Sequence, residues 1–173
     1  MFVIPRIMPR HVFYSFHYEP DNWRVSQIRN IGKIEGNKAA LDNRWEEVKE
    51  EGEAAVKRWI DAQLKGRSCT LVLIGSGTAK RKWIDYEIKE SWRLKKGVVG
   101  IHIHKIKDRH QRASTKGANP FSHFTLGDDK KKFDQIVKTY DPPGADGKAV
   151  YGWIAQNITA IIDEAIEIRN SHS

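Results

Sequence analysis

Thr70-Leu71-Val72-Leu73-Ile74, closed by Gly75-Ser76-Gly77-Thr78, is an uninterrupted apolar run that ends on small residues. A run of this length without polar alternation reads as a strand buried on both faces, the habit of parallel sheets. Its flanks are helical. Upstream, Val56, Trp59, Ile60 and Leu64 recur at helical spacing, with Gly66 as the stop. Downstream, a helix covers about Lys82 to Lys96, Gly97 ends it, and Val98 to Ile103 reads as the next strand. Strands alternating with helices imply right-handed crossovers, and hence an α/β fold: a parallel sheet with helices on both faces.

The rest of the chain extends the pattern. His11 to Phe16 is β-branched and aromatic and reads as the first strand. Pro20 and Asp21 mark a loop and a helix start, and Trp23, Ile28 and Ile31 suggest the helix itself. Between residues 32 and 50, Ala39 to Asp42 reads as a short strand, followed by an acidic loop from Glu46 to Glu51. Residues 105–128 read as loop, with Gly117, Asn119-Pro120 and Gly127. Phe133 to Tyr140 fits a last strand or a short helix, and Asp141 to Gly144 a turn. The final helix carries one apolar stripe: Val150, Ile154, Ile158, Ile161, Ile162, Ala165 and Ile166. In such sheets ligands bind beyond the carboxyl ends of the strands. The loop after Phe16, the loop after Ile74 and the start of the third helix should meet there.

At 173 residues the chain fits one domain, expected over 10–170, with 1–9 as an N-terminal extension and Met8 as an alternative start. Cys69 is the single cysteine, so intrachain disulfides and cysteine-based metal sites are excluded, and a reducing, cytoplasmic setting is expected. The Pro-interrupted N-terminus is not a signal peptide, and no apolar run reaches the length of a membrane span. The net charge of +8 is spread out: Lys80-Arg81-Lys82 and Lys130-Lys131-Lys132 are short runs beside acids. That dispersal weighs against a nucleic-acid partner and for a basic surface that attracts phosphorylated small molecules.

Few residues offer chemistry. Gly75-Ser76-Gly77-Thr78 could cradle a phosphate or be a plain turn; it is neither a Walker A loop nor G-x-G-x-x-G, since Lys80 stands where the third glycine belongs. His102 and His104 sit two apart on a strand and so face one side, but lack the spacing of a metal site; no resident metal or cofactor is expected. Ser76 lacks the flanks of a nucleophile elbow. Trp83-Ile84-Asp85-Tyr86-Glu87 is the most informative segment, because a helix stacks Glu87 one turn after Trp83, near the mouth of the sheet. A carboxylate there suits cleavage of an N-glycosidic bond, where it stabilises an oxocarbenium-like ribose while an aromatic ring packs on base or sugar. On spacing alone, a solvated Glu balancing Lys80, Lys89 or Arg93 is the plainer reading.

The sequence resembles the TIR-like family, and within it the NAD-cleaving component of Thoeris anti-phage defence systems. The matching segments are Val12 to Tyr18, Trp45-Glu46, Val72 to Ser76, Arg81 to Ile88, Gly100 to Ile103 and Lys116 to Phe121. The resemblance implies a flavodoxin-like fold, hydrolysis or cyclisation of NAD+ as substrate, and Glu87 as the catalytic residue. It further implies that Ser15, Phe16, His17, Trp45, Ser76 and Trp83 bind substrate. His17 stands where typical TIR domains have Arg, and Ile84 where they often have Cys, which suggests a divergent branch rather than a receptor adaptor. The expected output is a cyclic ADP-ribose-type signal that reaches a separate effector by diffusion. The rival expectation is a non-enzymatic TIR-like module for self-association or nucleotide sensing.

Overall fold

The computed structural model describes residues 10–36, 48–126 and 130–172. Four β-strands build the body of the sheet: β1 (Arg10–Ser15), β2 (Ile34–Gly36), β3 (Cys69–Ile74) and β4 (Gly97–His102). Beyond a small antiparallel pair, β5 (Thr125–Leu126) and β6 (Lys131–Lys132), lies the edge strand β7 (Thr139–Tyr140). The order is β2-β1-β3-β4-β7 and every neighbouring pair is parallel, the flavodoxin-like arrangement expected of the sequence. The helices are α1 (Tyr18–Arg29), α2 (Glu53–Leu64), α3 (Lys82–Arg93) and α4 (Gly147–Asn170).

The apolar pattern explains the layers. All six residues of β3 are buried, because both faces of the sheet are covered. Leu71 and Leu73 point into a core formed with Val25 and Ile28 of α1 and the stripe Val150, Ile154, Ile158, Ile161, Ile162 of α4. Val72 and Ile74 point the other way, against Ile84 and Ile88 of α3 and the phenylalanines 121, 124 and 133. Phe13 of β1 packs on Val56, Ile60 and Leu64 of α2, on this same side. Asp146 caps α4 by accepting from the Ala149 amide at 2.9 Å. Gly66 closes the turn after α2 at φ +77°, as its position in the sequence suggests.

Several boundaries differ from the sequence reading. α1 begins at Tyr18, so Pro20 and Asp21 lie inside its first turn, where a missing N–H costs nothing. The second strand is Ile34–Gly36; the segment Ala39 to Asp42 falls outside the described residues. α3 stops at Arg93 rather than Lys96. Lys95, at φ +62°, and the Lys96 amide, bonded to the Ser91 carbonyl at 2.9 Å, close it as a Schellman motif without glycine. Gly97 instead opens β4, where a Cβ would stand 2.9 Å from the α4 backbone at Ala165 and Ile166. The Phe133 to Tyr140 stretch contains both alternatives, a 3-10 turn at Phe133–Gln135 and then β7. β4 ends at His102, so His104 lies beyond the strand rather than on it.

Candidate active site

β1, β3 and β4 deliver their carboxyl ends to one edge of the sheet. Ser15, the last residue of β1, is fully buried and its Oγ donates to Oε2 of Glu87 on α3. Glu87 is 8% exposed. Burial pushes its carboxyl from 4.5 up to about 8, with the Ser15 hydrogen bond pulling the other way. In this state Glu87 is therefore largely a neutral acid at pH 7. A carboxyl with a raised pKa at the carboxyl ends of a parallel sheet fits a functional site.

A short polar chain fixes the helix behind it. Ser91 Oγ donates to the Glu87 carbonyl at 2.5 Å and pairs with Thr70 Oγ1 of β3 at 2.6 Å. Both hydroxyls are buried, so this turn of α3 is tied to the centre of the sheet. The carboxyl is thus carried by a rigid element, as a site that must hold geometry requires.

The loop after β3 is packed closely against the Asp21 side chain and the Gly117 backbone. A Cβ on Gly75 would lie 2.0 Å from Asp21 Oδ2, and one on Gly117 would lie 2.0 Å from the Gly75 carbonyl oxygen. The Gly75 amide donates to Thr78 Oγ1 at 2.8 Å, so that amide is not free for a phosphate. α3 starts only at Lys82, after two turns, so the loop does not lead directly into a helix N-terminus. Asp21, 1% exposed, is held by Arg24, whose guanidinium also donates to the carbonyls of Pro20, Ile106 and Arg112. This buried hub ties α1 to the segment after β4.

The expected site residues are placed as follows. Ser15 and Glu87 meet directly. His17 precedes α1 and faces the loop: a Cβ on Gly77 would be 3.6 Å from its Nδ1. Burial, then the nearby Arg81 charge, lowers its pKa. Ser76 is exposed on the same loop. Phe16 is partly buried against the α1–α4 core. Trp83 packs into the α2 layer with Phe13, Val56, Ile60 and Leu64, and edge-on to Tyr86 at 6.0 Å. Trp83, the aromatic expected to pack on base or sugar, lies one turn before Glu87 with its ring on the α2 side of α3. Trp45 lies outside the described residues. Arg81 was not singled out by sequence: its Nε donates to the Gly77 carbonyl at 2.8 Å, four residues back, putting a cation at the rim. Its position inside the Lys80–Lys82 run concealed that role.

Among the described residues, no helix is long and apolar enough to cross a membrane, and no group of three or more His, Cys, Asp and Glu is placed to hold a metal ion.

The comparisons with known proteins agree with this architecture. Residues 13–108 match the family model described as Thoeris protein ThsB, TIR-like domain. The chain is 38% identical over 121 residues to a protein of Bacillus cereus (strain MSX-D12) named "Putative cyclic ADP-D-ribose synthase ThsB1". The match takes in 67% of this chain and 63% of that protein. The matched region runs from β1 past β4 and contains Ser15, Glu87 and the loop between them, so the chain belongs to the TIR-like domain family of the Thoeris protein ThsB.

Proposed function

We propose that the protein cleaves the nicotinamide–ribose bond of NAD+ and closes the remainder into a cyclic ADP-ribose-type signal that activates a separate effector in anti-phage defence. The observation that carries this reading is Glu87, buried at the mouth of a parallel sheet and hydrogen-bonded to Ser15. The name of the Bacillus cereus relative supports it.

The chemistry follows from the charges. The C1′–N bond breaks with its electron pair going to nicotinamide, which leaves neutral from a cationic pyridinium. The ribose is left as an oxocarbenium-like cation. Glu87, once ionised, stabilises that cation and accepts from a ribose hydroxyl. A hydroxyl of the adenosine ribose then attacks C1′ and passes its proton to the Glu87 carboxylate, and from there to solvent, giving the cyclic product; water attacking instead gives linear ADP-ribose. A pocket that excludes water favours the tethered hydroxyl. Substrate contacts are assigned to Ser15, Phe16, His17, Ser76, Trp45 and Trp83. The leaving group needs no Lewis acid, so no metal or cofactor takes part. The reaction is set in the cytoplasm, and self-association is an added mode of control.

The test has two parts. Protein mixed with NAD+ should release free nicotinamide, with undiminished yield in chelator. A small-molecule filtrate of infected cells that express the protein should switch on the cognate effector. A filtrate holding only linear ADP-ribose and nicotinamide, with no effect on the effector, overturns the signalling reading in favour of NAD+ depletion. No nicotinamide release even during infection favours a non-enzymatic module.

The pH profile has a defined sign. The free protein holds Glu87 neutral until about pH 8, whereas stabilising the cation needs the carboxylate. We expect kcat/KM, which reports the free enzyme, to rise roughly tenfold per pH unit below that value and level off above it. Bound NAD+, whose pyridinium faces the carboxyl, favours ionisation, so kcat should level off at lower pH. A kcat/KM that is flat or falls between pH 6 and about 8 contradicts the assignment.

A further inference from the structure

A second polar cluster lies along the same edge of the sheet, two strands away from Ser15. His102 ends β4 opposite Ile74 in register. His104 follows, its ring 5.9 Å from that of His102 and nearly perpendicular to it. The two histidines are only 5% and 7% exposed, yet Nδ1 of each lacks a hydrogen-bond partner. Ser114, whose amide donates to the His104 carbonyl at 2.8 Å, has a buried hydroxyl in the same condition. Lys116 and Asp141 form an ion pair at 2.9 Å, both partly exposed, and act on both rings electrostatically. Buried polar groups without partners are costly, and three in one place at the strand ends need an explanation.

The cluster is continuous with the site already described. Lys116 immediately precedes Gly117, whose backbone rests on Gly75 and Ser76. Ser15, the Gly75 loop and His102 therefore stand in a row on β1, β3 and β4, and Asp141 just past β7. Two strand spacings, from Ser15 on β1 to His102 on β4, amount to about 10 Å, within the reach of the two riboses of one folded dinucleotide.

We propose that His102 and His104 form the subsite for the second nucleoside of the substrate, binding the cis-diol of its ribose. This rests on the NAD+ reading above and names what holds the half of the molecule remote from Glu87. The chemistry favours a diol over a phosphate. Burial, then the Lys116 charge, draws His102 down to about 4, and burial lowers His104 against the pull of Asp141, so both rings are neutral at pH 7. The Lys116 charge is already matched by Asp141. Two neutral imidazoles ask for groups that both donate and accept, and two adjacent hydroxyls supply two donors and four acceptor lone pairs. The exposed Lys116–Asp141 pair forms the outer rim, and Ser114 offers a third hydrogen-bonding group.

The test uses binding of adenosine monophosphate, which carries this half alone, and is independent of turnover. AMP should bind the parent protein. The 2′-deoxy analogue should bind about tenfold more weakly, the worth of one hydrogen bond to a desolvated group. His102→Asn should lose about tenfold for AMP and nothing for the deoxy analogue. Because His102 is buried, Lys116→Ala serves as a surface variant: it should weaken AMP less than His102→Asn does. Nicotinamide mononucleotide, which lacks this half, should be bound equally by all three proteins. AMP failing to bind the parent, or binding parent and His102→Asn alike, overturns the subsite. So does a deoxy analogue as tight as AMP. If AMP binding behaves as expected while no nicotinamide is ever released from NAD+, the subsite stands and the cleavage reading fails.

Discussion

Glu87→Gln should lose at least ~100-fold in nicotinamide release while the fold is kept or strengthened. The catalytic loss is that of a single electrostatic contact to the transition state. Gln is nearly the same size and can still accept from Ser15, so the geometry at the strand end survives. It cannot carry the negative charge that the ribose cation requires. The stability effect has the opposite direction. Folding raises the Glu87 pKa from 4.5 to about 8, mainly by burial. Below 4.5 the carboxyl is neutral folded or unfolded, and nothing is lost. As pH climbs toward 8 the unfolded chain ionises freely while the folded chain keeps its proton, so stability falls. Above about 8 the full penalty is present, on the order of a few kcal/mol. Gln never ionises and escapes it. The melting temperature of the variant should thus exceed that of the parent at pH 8 and approach it at pH 5. A dead variant that is also destabilised at pH 8 would mean that Glu87 serves packing; one with near-normal turnover would remove it from the mechanism.

The residues that announced themselves in the sequence are those whose reasons are local or periodic. β3 was legible because both of its faces are covered, leaving no polar alternation in Cys69–Ile74. The α4 stripe was legible because one face of a long helix meets the sheet. Glu87 needed more: spacing placed it near the strand ends, and only the family resemblance separated it from a surface glutamate. What stayed hidden depends on tertiary contact. Gly97 looked like a helix stop, but it is small because α4 passes over it. Lys95 takes the left-handed position where a glycine would have been the signal. The His102–His104 spacing suggested a shared strand face, but the strand ends between them. Trp83 shares a helix turn with Glu87, and its packing against the α2 layer is a tertiary contact that helical spacing does not show. The Asp21–Arg24 hub joins α1 to carbonyls more than eighty residues away, a link that no local pattern encodes.

Gly117→Ala should cost about 100-fold in activity, although residue 117 carries no chemistry of its own. The added Cβ would stand 2.0 Å from the Gly75 carbonyl oxygen, with the Gly75 and Ser76 carbonyl carbons at 3.0 and 3.3 Å. Those are backbone atoms, so no side chain can rotate away. The Gly75 loop cannot retreat either, since Gly75 is already against the Asp21 carboxylate, which Arg24 holds in place. The two loops must therefore part by roughly an ångström. A misplacement of that size at a reacting centre is worth about two powers of ten. The loss should appear in kcat and KM together, because the same loops hold the substrate and close the pocket. Gly152→Ala is the internal control. Gly152 lies within α4 with nothing within 4 Å of its would-be Cβ, so alanine there should leave activity alone and stabilise the helix by about 0.5–1 kcal/mol. The contrast separates contact from composition: both changes add one methyl to a glycine, and only the one between the strand-end loops should reach the chemistry. Equal turnover in the two variants would show that the spacing of these loops does not set the geometry around Glu87.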